Sequence, residues 1–370
     1  MVQSFPAPRL SLRVNSVIKS ILFLAVFSFP AGAVDNVVRV TTPSGEPIPY
    51  VRIRSEGAFA NGFGFTDAKG EWHIDIPVIG GSACSMFAPT LVTSVSKPGF
   101  TFDKVTFGIP CGGFGSLIAV VGSGSPLPTF TTVSAASYSP VLAPQLIVAA
   151  FGQGLADTIE GAATLPPPTS LGNRKVVMIG PDGIQFSCPI LFVSSEQINF
   201  ILPNIPQAVV LGQNSVPAVI DLLDASGPIR EEGIVLKRAS PSLFSENGTG
   251  EGVAAAALTR IRTDGTMSEE PVAQFDPVKK EFVAIPIEFT GDTQRLILSL
   301  FGTGFGAAKD VQASIVETSI PVLFFGPQAE LESLERLDLE LPRTLAGTGE
   351  VPIAITVDGG RANAVTIRFR

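Results

Sequence analysis

From Val37 onward, apolar and polar positions alternate with a period of two, in runs too short for helices. Val38 and Val40 come first, then Val51 and Ile53 against Arg52 and Arg54, then Trp72, Ile74 and Ile76 against His73 and Asp75. That period turns one side of each strand to a core and the other to water. Sharp turns separate the runs at Pro43-Ser-Gly-Glu-Pro47, Gly64-Phe-Thr-Asp-Ala-Lys-Gly70 and Lys97-Pro-Gly-Phe100. The clearest unit closes the chain. Val351, Ile353, Ile355 and Val357 alternate, Asp358-Gly-Gly360 turns, and Val365, Ile367 and Phe369 alternate again, which predicts a β-hairpin.

The second half repeats itself. Leu146-Ile-Val-Ala-Ala-Phe-Gly-Gln-Gly-Leu155 recurs as Leu296-Ile-Leu-Ser-Leu-Phe-Gly-Thr-Gly-Phe305, and Pro189-Ile-Leu-Phe192 as Pro321-Val-Leu-Phe324. Gln197-Ile-Asn-Phe-Ile-Leu-Pro203 then matches Arg336-Leu-Asp-Leu-Glu-Leu-Pro342, and Val216-Pro-Ala-Val-Ile220 matches Val351-Pro-Ile-Ala-Ile355. Echoes kept in one order mark duplicated modules, each read as an immunoglobulin-like sandwich of short strands. The first copy carries extra residues around Thr158 to Arg174, an insertion expected in a surface loop. Gly122-Ser-Gly-Ser-Pro-Leu-Pro128 has linker composition. The expected organisation is all-β: a signal peptide at 1–33, a first sandwich at 34–121, a linker at 122–130, and related sandwiches at 131–239 and 240–370.

The leader reading rests on Arg9, Arg13 and Lys19, an apolar run from Ile21 to Phe29, and Ala31-Gly32-Ala33, which order predicts export and cleavage after Ala33. An uncleaved N-terminal anchor is the alternative, disfavoured because Ser28 and Pro30 cut the run short. No later segment reaches transmembrane length, so none is expected after cleavage. Of 25 basic residues, removing those three leaves 22 against 33 acidic ones, taking the formal charge from −8 to −11. Nucleic acid is thereby an unfavourable partner. The 37 Gly and 31 Pro are spread along the chain, as many short strands require, and Phe supplies 26 aromatics without a polar handle, as core filling.

Candidate chemistry is sparse. Cys84 and Cys111 fall in one expected module and could bridge after export, though spacing does not decide it. Cys188 sits in an apolar context and reads as a buried thiol. His73 is the sole histidine, so any Ser-His-Asp or Cys-His mechanism must pass through it; a surface role beside Asp75 is expected instead. Phe151-Gly-Gln-Gly-Leu155 lacks the third glycine of a nucleotide loop, and its recurrence favours a structural turn. Asn247-Gly-Thr249 fits a glycosylation sequon that is idle in a bacterial chain. Glu231-Glu232 and the carboxylates from Glu330 to Glu340 read as solvated charges. Asn199, matched by Asp338, reads as a polar residue pairing with backbone at a strand edge. Trp72, sharing a face with Ile74 and Ile76, reads as core rather than as a sugar platform. No catalytic, cofactor or metal site is expected.

Gly45-Glu-Pro-Ile48, Thr66-Asp-Ala-Lys-Gly70 and Lys97-Pro-Gly-Phe100 together resemble the carboxypeptidase regulatory-like domain family. The resemblance implies a prealbumin-like sandwich serving as an accessory module without catalysis. Ala135-Ala-Ser-Tyr-Ser-Pro140, Phe151-Gly-Gln-Gly-Leu155, Leu165-Pro-Pro-Pro-Thr-Ser-Leu-Gly172, Ser194-Ser-Glu-Gln-Ile-Asn-Phe200, Pro241-Ser-Leu-Phe244 and Phe301-Gly-Thr-Gly-Phe305 resemble the Solibacter-type uncharacterised C-terminal domain family over roughly 130–370. That resemblance implies an exported, surface-associated protein with no catalytic residues to carry over. The expected function is binding or scaffolding at the cell envelope or exterior, with an unknown protein or polysaccharide as partner. The alternative is carbohydrate binding or cleavage through the N-terminal module.

Overall fold

The alternating runs become strands whose apolar sides face one another. The computed structural model describes residues 33–57, 62–77, 90–109, 116–205, 215–306, 308–329, 331 and 333–370. These form an all-β array of sandwiches with one 3₁₀ turn at Arg343–Leu345. Among the described residues no helix is long and apolar enough to cross a membrane. The expected leader lies outside the described residues, apart from Ala33, which opens the strand Ala33–Thr41.

In the first sandwich, one sheet runs Glu71–Pro77, Ala33–Thr41, Leu117–Gly124, Phe100–Phe102, and the other runs Gly62–Phe65, Arg52–Glu56, Thr90–Ser96, Phe107–Ile109. Val38, Val40, Ile53, Trp72, Val92 and Val120 meet between them. Trp72 is therefore a core residue. The expected linker begins too early: Gly122, Ser123 and Gly124 pair with Phe102, Thr101 and Phe100. Gly124 adopts φ +144, where a side chain would press on the Gly99 carbonyl, so glycine here serves a close strand approach and not flexibility.

The second sandwich sets Glu160–Gly161, Ile190–Val193, Gln197–Ile201, Ile147–Phe151, Thr131–Ser134 against Gln185–Cys188, Lys175–Ile179, Val216–Asp224, Gly227–Leu236. The third sets Met267–Pro271, Ala256–Arg262, Thr293–Thr303, Glu335–Glu340, Val322–Pro327 against Pro286–Ile287, Val365–Phe369, Gly349–Val357, Val311–Ile315, Thr318–Ile320. Each encloses its own apolar core. The closing hairpin pairs Val351 with Ile367 and Ile353 with Val365, and all seven of its alternating apolar residues are buried.

The sequence echoes coincide with strand register. Ala149 lies opposite Asn199, and their counterparts Ser299 and Asp338 lie opposite each other. Val148 pairs with Phe200 as Leu298 pairs with Leu339. Even an irregularity is shared: the register slips between Ile190 and Phe192 and again between Val322 and Phe324, each strand carrying one extra leucine, Leu191 or Leu323. Asn199 and Asp338 thus occupy interior strands, correcting the edge reading. Asn199 accepts a hydrogen bond from Gln197 Nε2 at 2.8 Å, and Asp338 one from Ser299 Oγ at 2.7 Å.

The duplicated Phe-Gly-x-Gly segments end these central strands and turn the chain inward. Gly154 has φ +64 and Gly304 φ +79, and the next residue, Leu155 or Phe305, is fully buried. Burying a side chain of that size contributes about 2–3 kcal/mol. This arrangement predicts that Gly304→Ala is costly, because its Cβ would lie 2.4 Å from the Ser240 carbonyl oxygen and 2.5 Å from Leu146 Cδ1. Gly347 has the same φ of +79 but open space around it. Denaturant titration of the two alanine variants should show a loss of about 1 kcal/mol for Gly347→Ala and at least about 2 kcal/mol for Gly304→Ala.

Candidate functional site

The side of the first sandwich expected to be wet is instead covered by the second. Arg52 and Arg54 alternate with the core residues Val51 and Ile53, so their side chains leave the first core. In the second sandwich, Val219 and Asp221 alternate with the core residues Ala218, Ile220 and Leu222. The two outward sides meet in a seam whose apolar part contains Phe65, Ile179 and Val219, with Tyr50, Phe63 and Val177 against them. Tyr50 holds the left-handed φ of 55. Its ring lies on Gly233, where any Cβ would come within 2.3 Å of Tyr50 Cζ. A side chain at 233 would therefore separate the sandwiches.

Beside this contact lies a buried ionic cluster. Asp221 and Glu231 stand opposite each other on paired strands, each less than a tenth exposed. Like charges so placed repel. The first sandwich supplies the compensation: Arg52 Nη2 reaches both Asp221 oxygens at 2.8 Å and Glu231 Oε2 at 2.9 Å, and Lys97 Nζ pairs with Glu231 Oε1. Burial pushes Asp221 up to about 6, against the opposing pull of Arg52 and with the repulsion of Glu231 adding to it. Glu232, on the same strand, accepts from Thr132 N at 3.2 Å, and burial raises its carboxyl as well. The reading of Glu231-Glu232 as solvated loop charges is thus corrected. Both are strand residues, and the cations neutralising Glu231 lie more than a hundred positions away.

A cleft of about 570 Å³ opens along the seam, lined by Arg54, Ser55, Glu56, Gly62, Phe63 and Asp182. The Arg54 guanidinium lies 5.6 Å from the Phe63 ring centre, a cation–π contact. A second hollow of about 300 Å³ in the third sandwich has its charges engaged: Arg295 pairs with Glu340 at 2.6 Å, and Arg343 donates to the Thr293 carbonyl.

His73 lies on the wet side of the first sandwich, on the same face of its strand as Asp75, and its ion-pair partners are Asp35 and Glu71. Its Nδ1 is 2.9 Å from Asp35 Oδ2 and its Nε2 is 3.6 Å from Glu71 Oε2. The hydrogen bond to Asp35 raises its pKa. Glu71 also takes two bonds from Arg39, so the group is an exposed cross-strand charge network. Cys188 is buried, and desolvation pushes its thiol up to about 12, which leaves it unreactive. Cys84 and Cys111 lie outside the described residues. Among the described residues no cluster of three or more His, Cys, Asp or Glu could hold a metal ion. Asn247, from the sequon, is engaged at both ends of its amide with the Phe282 backbone.

The second and third sandwiches meet through polar contacts that no motif announced. Ile147 N donates to Thr303 Oγ1 at 3.0 Å, Ser240 Oγ to the Val141 carbonyl at 2.7 Å, and Tyr138 Oη to the Gly248 carbonyl at 2.6 Å. Glu335 completes this region from beneath. It is buried, accepts from Phe305 N at 2.7 Å, and burial pushes it up to about 7. The expectation of a solvated carboxylate is corrected here: its place opposite Gly302 in the central ladder buries it.

Removing Arg52 should strand Asp221 and leave Glu231 to Lys97 alone. In scanning calorimetry, Arg52→Ala is expected to lose about 3 kcal/mol and to split the melting of the first sandwich from that of the second. Glu335 has the opposite pH sign to an ion-paired acid: its folded pKa exceeds its unfolded one. Its contribution is full below about pH 4.5 and is lost as pH rises through about 7. Denaturation at stepped pH should show the wild type falling by roughly 2–4 kcal/mol more than Glu335→Gln over that window, Asp221 and Glu232 titrating alike in both. Comparison of the chain with protein-family models finds no match, and comparison with curated proteins finds none either.

Proposed function

We propose that the chain is an exported, non-enzymatic β-sandwich protein that acts by binding or scaffolding at the cell envelope or exterior, with a protein or polysaccharide of the cell surface as its partner. The supporting observation is the ionic cluster of Arg52, Lys97, Asp221 and Glu231. It spends its buried charges on fixing one sandwich against the next, as a rigid spacer or presenting scaffold requires. The resemblance of the first module to carboxypeptidase regulatory-like domains, and of the remainder to the Solibacter-type C-terminal family, agrees with this reading. On it, the first and later modules are prealbumin-like and immunoglobulin-like respectively.

The seam cleft favours carbohydrate binding as a second reading, because Phe63 offers a ring beside the polar groups Arg54, Glu56 and Asp182. Trp72, buried in the core, takes no part in it.

Expression of the tagged full chain followed by fractionation and N-terminal sequencing should recover a mature form beginning at Val34 outside the cytoplasm. The purified protein should leave glycan and peptide libraries intact. Retention of the leader in the cytoplasm would overturn the export reading, and turnover abolished by His73→Ala would overturn the non-enzymatic one. Glycan-array binding lost in Phe63→Ala would select the second reading.

A further inference from the structure

In each sandwich the segment by which the chain enters lies beside the strand by which it leaves, and the two run parallel. In the first, Ala33–Thr41 pairs with Leu117–Gly124 from Val37 opposite Leu117 to Thr41 opposite Val121, and Val37 N donates to the Ser116 carbonyl at 2.8 Å. In the second, Leu142 lies parallel to Leu236, and Lys237 N donates to the Leu142 carbonyl at 2.8 Å. In the third, Val253 lies parallel to Thr366; Ala254 N donates to the Thr366 carbonyl at 2.9 Å and Thr366 N to the Gly252 carbonyl at 2.7 Å. Asn363 adds a clamp on the same entering segment. Its Oδ1 accepts from Leu243 N at 2.7 Å, and its Nδ2 donates to the carbonyls of Leu243 at 2.9 Å and Gly250 at 2.7 Å. Duplication accounts for the likeness of the second and third sandwiches. The first carries none of the repeated segments and reaches the same relation differently, through the two inner strands of one sheet.

Parallel neighbours put the incoming and outgoing chain at opposite ends of their shared ladder. Tension along the chain then acts along the strands, and the bonds between them resist sliding together. Where the pulled ends of two antiparallel strands lie side by side, the same tension opens the bonds one after another. Forced unfolding is governed by the barrier to unfolding, so bonds loaded together hold to a higher force. The connections also leave little slack. Ser125 N donates to the Gly99 carbonyl at 3.1 Å and Glu231 N to the Pro128 carbonyl at 3.4 Å, which ties the first linker to a sandwich on either side. In the next connection, Ser240 N donates to the Gly304 carbonyl at 2.9 Å and Ser240 Oγ to the Val141 carbonyl at 2.7 Å. A flexible linker would instead extend before any strand was loaded.

We propose that the chain is a load-bearing connector, in which tension passing along it is carried in shear by the joined entering and leaving segments of every sandwich. This rests on the reading of the chain as a scaffold and names what the scaffold does: it holds its attachments together under pull.

The test is single-molecule force spectroscopy of the full chain, held through handles at its two ends, with each sandwich identified by the length it releases at about 3.3–3.6 Å per residue. The comparison uses a handle on a click-reactive residue replacing the exposed Ala346, pulled against the C-terminus. That geometry draws Gly349 away from Phe369 at the open end of an antiparallel pair. Every sandwich is expected to hold end to end to at least about twice the force that opens the third through Ala346. Asn363→Ala should lower the end-to-end force of the third sandwich by roughly a third and leave the force through Ala346 unchanged. Rupture of any sandwich end to end at or below the Ala346 force, or an equal loss in both geometries on Asn363→Ala, would overturn the proposal. Should Asn363→Ala fail to fold, the two geometries on the unaltered chain decide the matter by themselves. Export and turnover are read by other measurements, so a mechanically weak chain would leave the broader function standing.

Discussion

Asp221 and Glu231 face each other across paired strands, and this is the constraint from which the inter-sandwich arrangement follows. Two buried carboxylates at that spacing are tolerable only if cations are brought to them or if one holds its proton. Here the first device operates: Arg52 and Lys97 arrive from another sandwich, while burial pushes Asp221 up to about 6. The cost of leaving either carboxylate bare makes separation of the sandwiches unfavourable. An apolar contact alone would allow sliding; Arg52 Nη2, shared between Asp221 and Glu231, and a Tyr50 ring seated on Gly233 fix the two sandwiches against each other.

The strands themselves were legible because each is written locally. Alternation in Val351 to Val357 and Val365 to Phe369 specifies which side is buried, and the pairing follows from the turn between them. The duplication was legible to the level of register, since Ser299 and Asp338 must keep the relation of Ala149 and Asn199 if two central strands and their turn are copied together. The Phe-Gly-x-Gly turn was likewise readable as structure. Its second glycine takes a positive φ so that the following leucine or phenylalanine can enter the core.

The seam was not legible, for a physical reason. Alternation distinguishes a side that leaves its own core from one that enters it, but it does not say whether water or another module meets the outward side. Arg52 therefore read as wet, and Glu231 as solvated, although each is the other's partner across 179 positions. Glu335 misled in the same way: a carboxylate in an acidic stretch reads as surface, while its strand places it under the Phe305 amide. A usable signal did exist for the seam. Gly233 interrupts an otherwise substantial strand, Gly227–Leu236, and glycine inside a strand marks a close approach by something else, here Tyr50.

The same duplication that exposes these rules also shows how they are relaxed. A copied sandwich inherits its edge strand whether or not it inherits the residues that cover the edge. The first copy meets the edge problem inside its own chain with Glu160–Gly161, and the second retains a strand of greater apolar exposure in the same register. The uncovered strand is guarded by other means: its register slips between Val322 and Phe324, and prolines stand at 321 and 327, so a bulge and two residues that interrupt a pairing ladder do what charge does elsewhere. Leu323 and Phe324 can then stay apolar, with the Phe324 ring lying under the Arg336 guanidinium. One copy solves the edge problem by adding a strand and the other by distorting one, and the shared bulge is the step from which both solutions start.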